Sequence, residues 1–327
     1  MRAKPFEVEF VFSGQQHYSR PEELTQERIL EEQVASNREW TARAKDRIST
    51  ISQGRVEKPS WFKEQESNAR SFVSSLGLVG AKGTQITVVN PHTPEINKAA
   101  FSMDSDDRIA KGMNWQHEGI MIRDLVLDEA SKMEKPEITG KIMAHELVHS
   151  AEFYDNKFYN RFDKQTRKWR RDFRQGFQTK SKNTANRGMF YAEAVAEYVG
   201  GLYVRRGQDS DCELVSVDMP LADTLPEHYA DYEVDFGVPA IAGPDGYAME
   251  LLAWGVEQKG IIDRDSFIRS ALGTYSLDAA VRLPSYRQFA SSIDGLEKGL
   301  YVHLRDLEYG HESWQAAQAK VHSVVTK

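Results

Sequence analysis

The middle of the chain carries two histidines and a glutamate at the spacing of a metal site. In His145-Glu146-Leu147-Val148-His149 the histidines are four residues apart, so on a helix their imidazoles share one face. This pattern is typical of zinc hydrolases, in which the intervening glutamate acts as general base. Catalytic zinc takes three protein ligands and lowers the pKa of a bound water to about 7. The sequence therefore predicts one Zn²⁺ ion on His145 and His149, with Glu146 as the base.

Residues around the motif predict a buried helix. Pro136 suits the first helical turn, and Glu137 complements the positive amino-terminal end of the helix dipole. Ile138 and Ile142 extend the stripe of the two histidines, while small and apolar residues cover much of the other side. Histidines on a buried helix are often hydrogen-bonded core residues, which is the alternative interpretation. A metal ion would instead satisfy all three polar side chains together.

A third ligand is expected from a second helix downstream. The segment 189–198 predicts this helix, with Gly200-Gly201 as its end. Glu193 and Glu197 share one face of it, so Glu193 on the metal would leave Glu197 one turn away. There Glu197 could accept the ring N–H of a ligand histidine and fix its tautomer. The alternative is a pair of solvated acids, although the small apolar residues around them favour burial.

Together the two segments resemble the catalytic domain of the anthrax lethal factor family of gluzincin metallopeptidases. That family combines an HExxH helix with a later helix, whose Phe-Phe-Ala-Glu-Ala-like segment supplies the last zinc ligand. Residues 190–195 are Phe-Tyr-Ala-Glu-Ala-Val, and the resemblance covers roughly a third of the chain. It implies His145, His149 and Glu193 as zinc ligands and Glu146 as the general base.

One position departs from the family pattern. In the family a tyrosine seven residues before the ligand glutamate stabilises the transition state, and Asn186 occupies that position here. The residues after His149 also lack the third histidine of the metzincins, which excludes that pattern. A stabilising side chain must therefore come from elsewhere in the chain. The candidates are Tyr191, Tyr154 and His228, with Tyr159 and Tyr229 as further choices.

Composition fits a folded enzyme and bounds where it works. The 327 residues are 40% hydrophobic and 10% aromatic, enough for a large core or two to three modules. No apolar run has membrane-spanning length, and residues 1–9 lack a signal-peptide stretch, so Sec-type export is not expected. The lone Cys212 excludes an internal disulfide and fits a reducing compartment. We therefore expect a cytoplasmic protein, or one delivered without a Sec signal peptide as a secreted effector or virion component.

The order of predicted elements favours an α+β fold. We expect a zincin-like metallopeptidase core, with a small mixed sheet and the active-site helix, plus helical amino- and carboxy-terminal regions. The expected regions are 1–76, an amino-terminal strand and helical region; 77–240, the catalytic core; and 241–327, a helical carboxy-terminal module. The predicted strands are Phe6–Phe12, Gln85–Val89, Lys98–Met103 and Gly119–Leu125; the predicted helices include one ending near Ile51, one from Ser60 to Leu76, and those of the last region.

One of these strands has a candidate binding role. In zincin folds the substrate lies extended along an edge strand above the metal. Ala99, Ala100 and Phe101 occupy that place in the order of elements, and the small side chains would let a peptide backbone approach. An ordinary inner strand is the alternative.

The segment Lys157–Lys182 is the most distinctive charge feature. It carries ten Lys and Arg against two Asp, and its aromatic residues recur at helical spacing. This predicts a helix with an aromatic stripe inside and a basic face outside. The alternative is recognition of an acidic peptide or a nucleic acid, since arginines and aromatic rings can meet phosphates and bases.

As a whole, the sequence predicts a zinc-dependent endopeptidase that acts on a peptide or protein substrate. Nucleic acid is not an expected partner, because a net charge of −7 disfavours general attraction to polyanions. The alternative is a non-catalytic zincin scaffold, for example a toxin or virion component in which an architectural zinc supports binding. The presence of all predicted ligands and the base favours the enzyme.

Overall fold

The computed structural model describes residues 42–78, 83–101, 111–115, 119–132, 136–152, 154–163, 168–181, 184–208, 244–307 and 311–326. The helices are α1 (42–52), α2 (Ser60–Ser75), α3 (Pro94–Phe101), α4 (Leu125–Lys132), α5 (Glu137–Ala151), α6 (Met189–Gln208), α7 (Pro244–Gln258), α8 (Arg264–Gly273), α9 (Ala279–Leu296), α10 (Leu300–Arg305) and α11 (His311–Val325). The strands are β1 (Arg55–Val56), β2 (Ile86–Val89), β3 (Gly112–Trp115), β4 (Gly119–Arg123), β5 (Tyr154–Asp163), β6 (Lys168–Gln175), β7 (Gln178–Ser181) and β8 (Thr184–Arg187).

The first sheet is small and mixed, with strand order β1-β2-β4-β3. Strand β2 runs parallel to β4, with Ile86 opposite Ile120, and β3 runs antiparallel to β4. Every residue of β2 and β4 is buried, which fits their mostly apolar sequences, Ile-Thr-Val-Val and Gly-Ile-Met-Ile-Arg. Strand β3 lies at the edge of this sheet and beside helix α5. The mixture of helices with this sheet agrees with the predicted α+β class, and the zincin assignment stays a prediction.

The predicted edge strand at Ala99–Phe101 is wrong, because these residues end helix α3. The Oγ1 of Thr93 accepts a hydrogen bond from the backbone N–H of Ile96 at 3.3 Å, as a helix cap does. Pro94 then provides a helical φ angle in the first turn. Ile96 and Ala100 are four residues apart and both buried, so one face of the helix packs inward. The segment Thr-Pro-Glu is thus a helix start rather than the end of a strand.

The segment between α5 and α6 forms a second sheet, so the predicted basic aromatic helix at 157–182 is also wrong. Strands β5, β6, β7 and β8 pair in that order, and every pairing is antiparallel. Phe162 lies opposite Trp169 in the β5–β6 register. Aromatic residues four apart share a face on a helix and equally on a strand, so their spacing did not distinguish the two. The sequence also predicted helices alone after the HExxH helix, and the four strands that follow α5 show that this prediction is wrong.

Helices α5 and α6 pack closely because small residues lie between them. Helix α6 continues through Gly200-Gly201, which therefore do not end it as predicted. A Cβ at Gly200 would lie 3.2 Å from the backbone oxygen of Lys141 and 3.6 Å from the Cβ of His145. Glycine at this position lets the two backbones approach. On the same helix pair, the ring of Tyr203 lies against Gly140. The close approach brings the acidic face of α6 against the histidines of α5.

One hydrophobic cluster joins the mixed sheet, the α5–α6 pair and the carboxy-terminal helices. It includes Ile122 of β4, Leu147 of α5, Val195 of α6 and Leu252 of α7. The carboxy-terminal residues 244–307 and 311–326 are largely helical, as predicted. The predicted strand Phe6–Phe12 and the predicted boundary near 240 lie outside the described residues. No helix in the described part of the chain is long and apolar enough to cross a membrane.

Candidate metal centre

Three side chains from α5 and α6 meet at one point. The Nε2 atoms of His145 and His149 are 3.2 Å apart. The Oε2 atom of Glu193 lies 3.4 Å from each of them. The three predicted ligands therefore present two nitrogens and one oxygen at the corners of a nearly equilateral triangle. Among the described residues, this is the group of His, Cys, Asp and Glu side chains whose donor atoms converge as a metal site requires.

The size of the triangle fits a zinc ion. A tetrahedral ion with bonds of about 2.0–2.1 Å holds its ligand atoms about 3.3–3.4 Å apart. The three edges of 3.2, 3.4 and 3.4 Å match one face of such a tetrahedron. Two imidazole nitrogens and one carboxylate oxygen are also a ligand set that catalytic zinc uses. Both the geometry and the chemistry of the donors thus fit the predicted metal.

Each histidine also meets a carboxylate at its other ring nitrogen. The Nδ1 of His149 is hydrogen-bonded to Glu152 Oε1 at 3.0 Å. The Nδ1 of His145 lies 3.2 Å from Glu197 Oε1, within ion-pair distance although outside hydrogen-bond geometry. Glu197 therefore lies where the sequence predicted it, and Glu152 adds a partner that sequence reasoning missed. A carboxylate on the outer nitrogen fixes ring orientation and makes the inner nitrogen a better ligand.

These contacts favour a cation between the rings. When its imidazole is neutral, His149 donates from Nδ1 to Glu152 and presents an unprotonated Nε2 with a lone pair. The two Nε2 atoms are 3.2 Å apart and the Glu193 oxygen is 3.4 Å from each, so the three atoms need positive charge among them, from protons or from a metal ion. A proton can be shared between only two of these atoms, whereas one divalent cation can bind all three.

The surrounding charges also favour positive charge at this point. Burial alone would lower the pKa of His145, but Glu197 and then Glu193 raise it to about 10. Burial likewise opposes the charged form of His149, yet Glu193 and Glu152 raise its pKa well above the usual value. For Glu193, burial would raise the pKa, but the two histidines hold it below its usual range. A pocket that holds protons so firmly also attracts a metal cation, for which those protons must leave.

Glu146 lies between the motif histidines and against strand β3. Its side chain is buried, and a Cβ at Gly112 would approach the Glu146 Oε1 atom to 2.8 Å. Burial raises the pKa of this carboxyl, and the histidines oppose the shift while Glu193 and Glu197 add to it. A carboxylate with a raised pKa is a better proton acceptor near neutral pH. The glycine on β3 thus leaves room for a base next to the metal ligands.

The centre remains partly open to solvent. The solvent-exposed fraction of the side chain is 14% for His145, 10% for His149 and 20% for Glu193. Structural zinc sites close around the ion with four protein ligands, whereas catalytic sites keep one position for water or substrate. Among the described residues three candidate ligands converge and each keeps part of its exposure, which leaves one position of such a site open.

Of the predicted transition-state stabilisers, Tyr191 is the one whose side chain the structure describes, and it does not lie at this opening. Tyr191 is fully buried, and its hydroxyl donates a hydrogen bond to the backbone oxygen of Tyr301 at 3.1 Å. The rings of these two tyrosines stack with centroids 5.0 Å apart. Tyr191 precedes Glu193 by two residues, which on a helix turns its side chain away from the metal. Tyr191 is therefore a core residue in this structure, and its burial does not support the candidate role in stabilising the transition state. The side chain of Tyr154 and the whole of His228 lie outside the described part of the chain.

Comparison of the chain with protein-family models, curated proteins and solved structures found no match. The geometry itself therefore carries the assignment of the site. The structure brings His145, Glu146, His149, Glu193 and Glu197 together, and it leaves Ala99–Phe101 in a helix. Glu152 could have been found in the sequence, because a residue three positions after a helical histidine lies near its face.

Proposed function

We propose that this chain is a zinc-dependent endopeptidase of gluzincin type. The supporting observation is the triangle of His145 Nε2, His149 Nε2 and Glu193 Oε2, whose edges match a tetrahedral zinc site. The adjacent buried Glu146 supplies a base in the position that the HExxH motif predicts. The local resemblance to the lethal factor family points to the same activity.

The roles of the side chains follow from their places. When bound, the ion would acidify a water molecule and polarise the scissile carbonyl group. Glu146 would take a proton from the attacking water and pass it to the leaving amine, which breaks the peptide bond. Glu197 and Glu152 would keep the two imidazoles in the orientation and tautomer that ligands need.

Strand β3 is the place that we assign to the substrate. It lies at the edge of the mixed sheet, beside the active helix, and its Gly112 lies against the Glu146 carboxylate. A peptide that adds to this edge as an extended strand would carry its scissile bond past the base. The Oγ of Ser150 donates to Asn114 Oδ1 at 2.9 Å, which ties β3 to α5 at this point. This role replaces the one predicted for Ala99–Phe101.

An architectural zinc in a binding scaffold is the competing function. Such a site would be closed by a fourth protein ligand, whereas the described residues offer three ligands with part of each exposed. The buried carboxyl of Glu146 would also have no task there. Both observations favour the enzyme.

Glu146→Gln tests the catalytic proposal. The variant should lose cleavage of a peptide library by about 10²- to 10⁴-fold, the usual contribution of a general base, and should keep close to one equivalent of zinc. Glu129→Gln is the matched control, because Glu129 is a half-exposed acid that pairs with Lys111. Unchanged cleavage by Glu146→Gln would contradict the mechanism, and loss of its zinc would make Glu146 structural. Cleavage by the unaltered chain must also stop with a chelator.

Gly112→Ala tests the placement of the base against β3. The added methyl group would meet the Glu146 carboxylate, so the base must move while the ligands stay in place. Turnover should fall by on the order of 10- to 100-fold, because small displacements of catalytic groups are costly, and zinc content should not change. Equal loss of zinc and turnover would contradict this assignment.

A further inference from the structure

The carboxy-terminal helices place one buried tyrosine next to the metal centre. Tyr275 lies between α8 and α9, and its side chain is 2% exposed. Its hydroxyl has no hydrogen-bond partner among the described residues. Buried hydroxyl groups are almost always hydrogen-bonded, so an exception indicates a function or a partner that the apolar core does not supply.

Contacts around Tyr275 lead to the carboxylate that orients His149. The Tyr275 ring packs edge-on against Phe177, with centroids 5.7 Å apart. Phe177 follows Gly176 in the turn between β6 and β7, and a Cβ at Gly176 would lie 2.9 Å from the Cγ of Glu152. The same turn thus packs on Glu152 and on the tyrosine. Glycine is needed at this position, because its φ angle is positive and the side chain of Glu152 leaves no room for a Cβ.

The negative charges that act on the Tyr275 hydroxyl belong to Glu152 and Glu193. Burial raises the pKa of Tyr275 well above its usual value, and the carboxylates of Glu152 and then Glu193 raise it further. Both acids belong to the metal centre, since Glu193 is a predicted ligand and Glu152 bonds His149. The phenol O–H, which bonds no described residue directly, can therefore reach the Glu152 carboxylate through one ordered water.

We infer that Tyr275 is a positioning residue of the metal centre, whose hydroxyl donates to the buried Glu152 carboxylate through one ordered water and thereby fixes the imidazole of His149. The packing contacts run from the carboxy-terminal helices through the rings of Tyr275 and Phe177 and the turn at Gly176 to Glu152, which bonds His149. This inference rests on the proposed metal centre and extends it to a part of the chain that carries no sequence motif. Tyr275 does not act on the substrate in this account.

The test measures zinc affinity of the full chain by competition with a chromogenic chelator. Tyr275→Phe removes the hydroxyl alone and leaves the ring packing intact. Affinity should fall by about 3- to 10-fold, less than the roughly 10- to 100-fold typical of a direct partner of a ligand. Tyr301→Phe is the matched control, because its buried hydroxyl donates to Tyr286 Oη, away from the ligands. This control should change the affinity by less than about 2-fold.

A double-variant cycle separates positioning from general packing. In a Glu152→Gln background, Tyr275→Phe should cause less than about a 2-fold further loss, because the two groups act as a unit. Visible absorption of the Co²⁺-loaded protein should shift in Tyr275→Phe and not in Tyr301→Phe. Wild-type affinity in Tyr275→Phe, or an equal loss in both backgrounds, would overturn the inference.

Results for the unaltered chain distinguish this inference from the proposed function. Absence of zinc binding by the unaltered chain would overturn both. Stoichiometric zinc without peptide cleavage would overturn the endopeptidase proposal alone, and the affinity cycle would still decide the role of Tyr275.

Discussion

The two histidines of the metal centre are oriented by carboxylates in opposite surroundings. On one side Glu152 is fully buried beneath Gly176 and is hydrogen-bonded to His149 at 3.0 Å. On the other side Glu197 keeps 24% of its exposure and lies near both His145 and Lys141. The core therefore fixes one half of the centre, while the other half is held by contacts that water can partly replace. In the proposed enzyme, the exposure of the second half would let a substrate reach the ion.

Glu193→Ala should have the largest effect, because Glu193 belongs to both halves. The binding free energy of structural zinc sites is roughly 10–16 kcal/mol, shared by four ligands. Loss of one ligand should therefore weaken zinc affinity by on the order of 10²- to 10³-fold. Chelator competition at constant pH measures this loss. Binding within about 3-fold of the unaltered chain would remove α6 from the site.

Zinc affinity should depend on pH through both histidines. In the metal-free protein the pKa of His145 is raised to about 10 and that of His149 is also raised, so near neutral pH both rings carry protons that zinc must displace. Affinity should therefore rise with pH between 6 and 8, by up to about 100-fold per unit for two released protons. Calorimetry in buffers of different ionisation enthalpy counts these protons. An affinity independent of pH would show that both rings are neutral before the metal binds.

Glu152→Gln and Glu197→Gln compare the two halves directly. Loss of charge on a direct partner of a ligand costs about 10- to 100-fold in metal affinity. We expect Glu152→Gln near the upper end, because its side chain is fully buried. We expect Glu197→Gln near the lower end, because solvent can take over part of its role. The reverse order of the two variants would break the comparison.

Lys141→Met should have the smallest effect. Its Nζ lies 3.4 Å from Glu197 Oε2, and both side chains are partly exposed. Such pairs contribute about 0–1 kcal/mol, so zinc affinity should change by less than about 5-fold. A larger loss, measured with the same competition assay, would show that Glu197 depends on Lys141 for its position.

The two helices of the candidate site could be predicted because their signal is local. Two histidines and a glutamate at helical spacing, within a helix with a clear start, lead to α5. Glu193 and Glu197 on a second helix follow from the same periodicity. The close approach of the two helices depends on Gly200, which the sequence suggested as a helix end. A glycine has both uses, and only the packing partner decides between them.

The connecting region shows why other elements were not predicted. Aromatic residues four apart fit a helix and a strand equally, so the β5–β8 sheet was expected to be a helix. Gly176 in the middle of this segment was a sequence signal for a turn, and in the structure it has the positive φ of 52° that such a turn needs. The charge pattern had favoured a helix instead. Tyr275 could not be found at all, because its place depends on contacts between segments far apart in the chain.

X-ray absorption at the zinc edge, measured on the full chain loaded with one equivalent of zinc, reports the atoms that bind the ion. We expect a first shell of nitrogen and oxygen atoms at about 2.0–2.1 Å, with the outer-shell scattering of two imidazoles. A sulfur ligand at about 2.3 Å, fewer than two imidazoles, or failure to retain one equivalent of zinc would show that the proposed site is wrong.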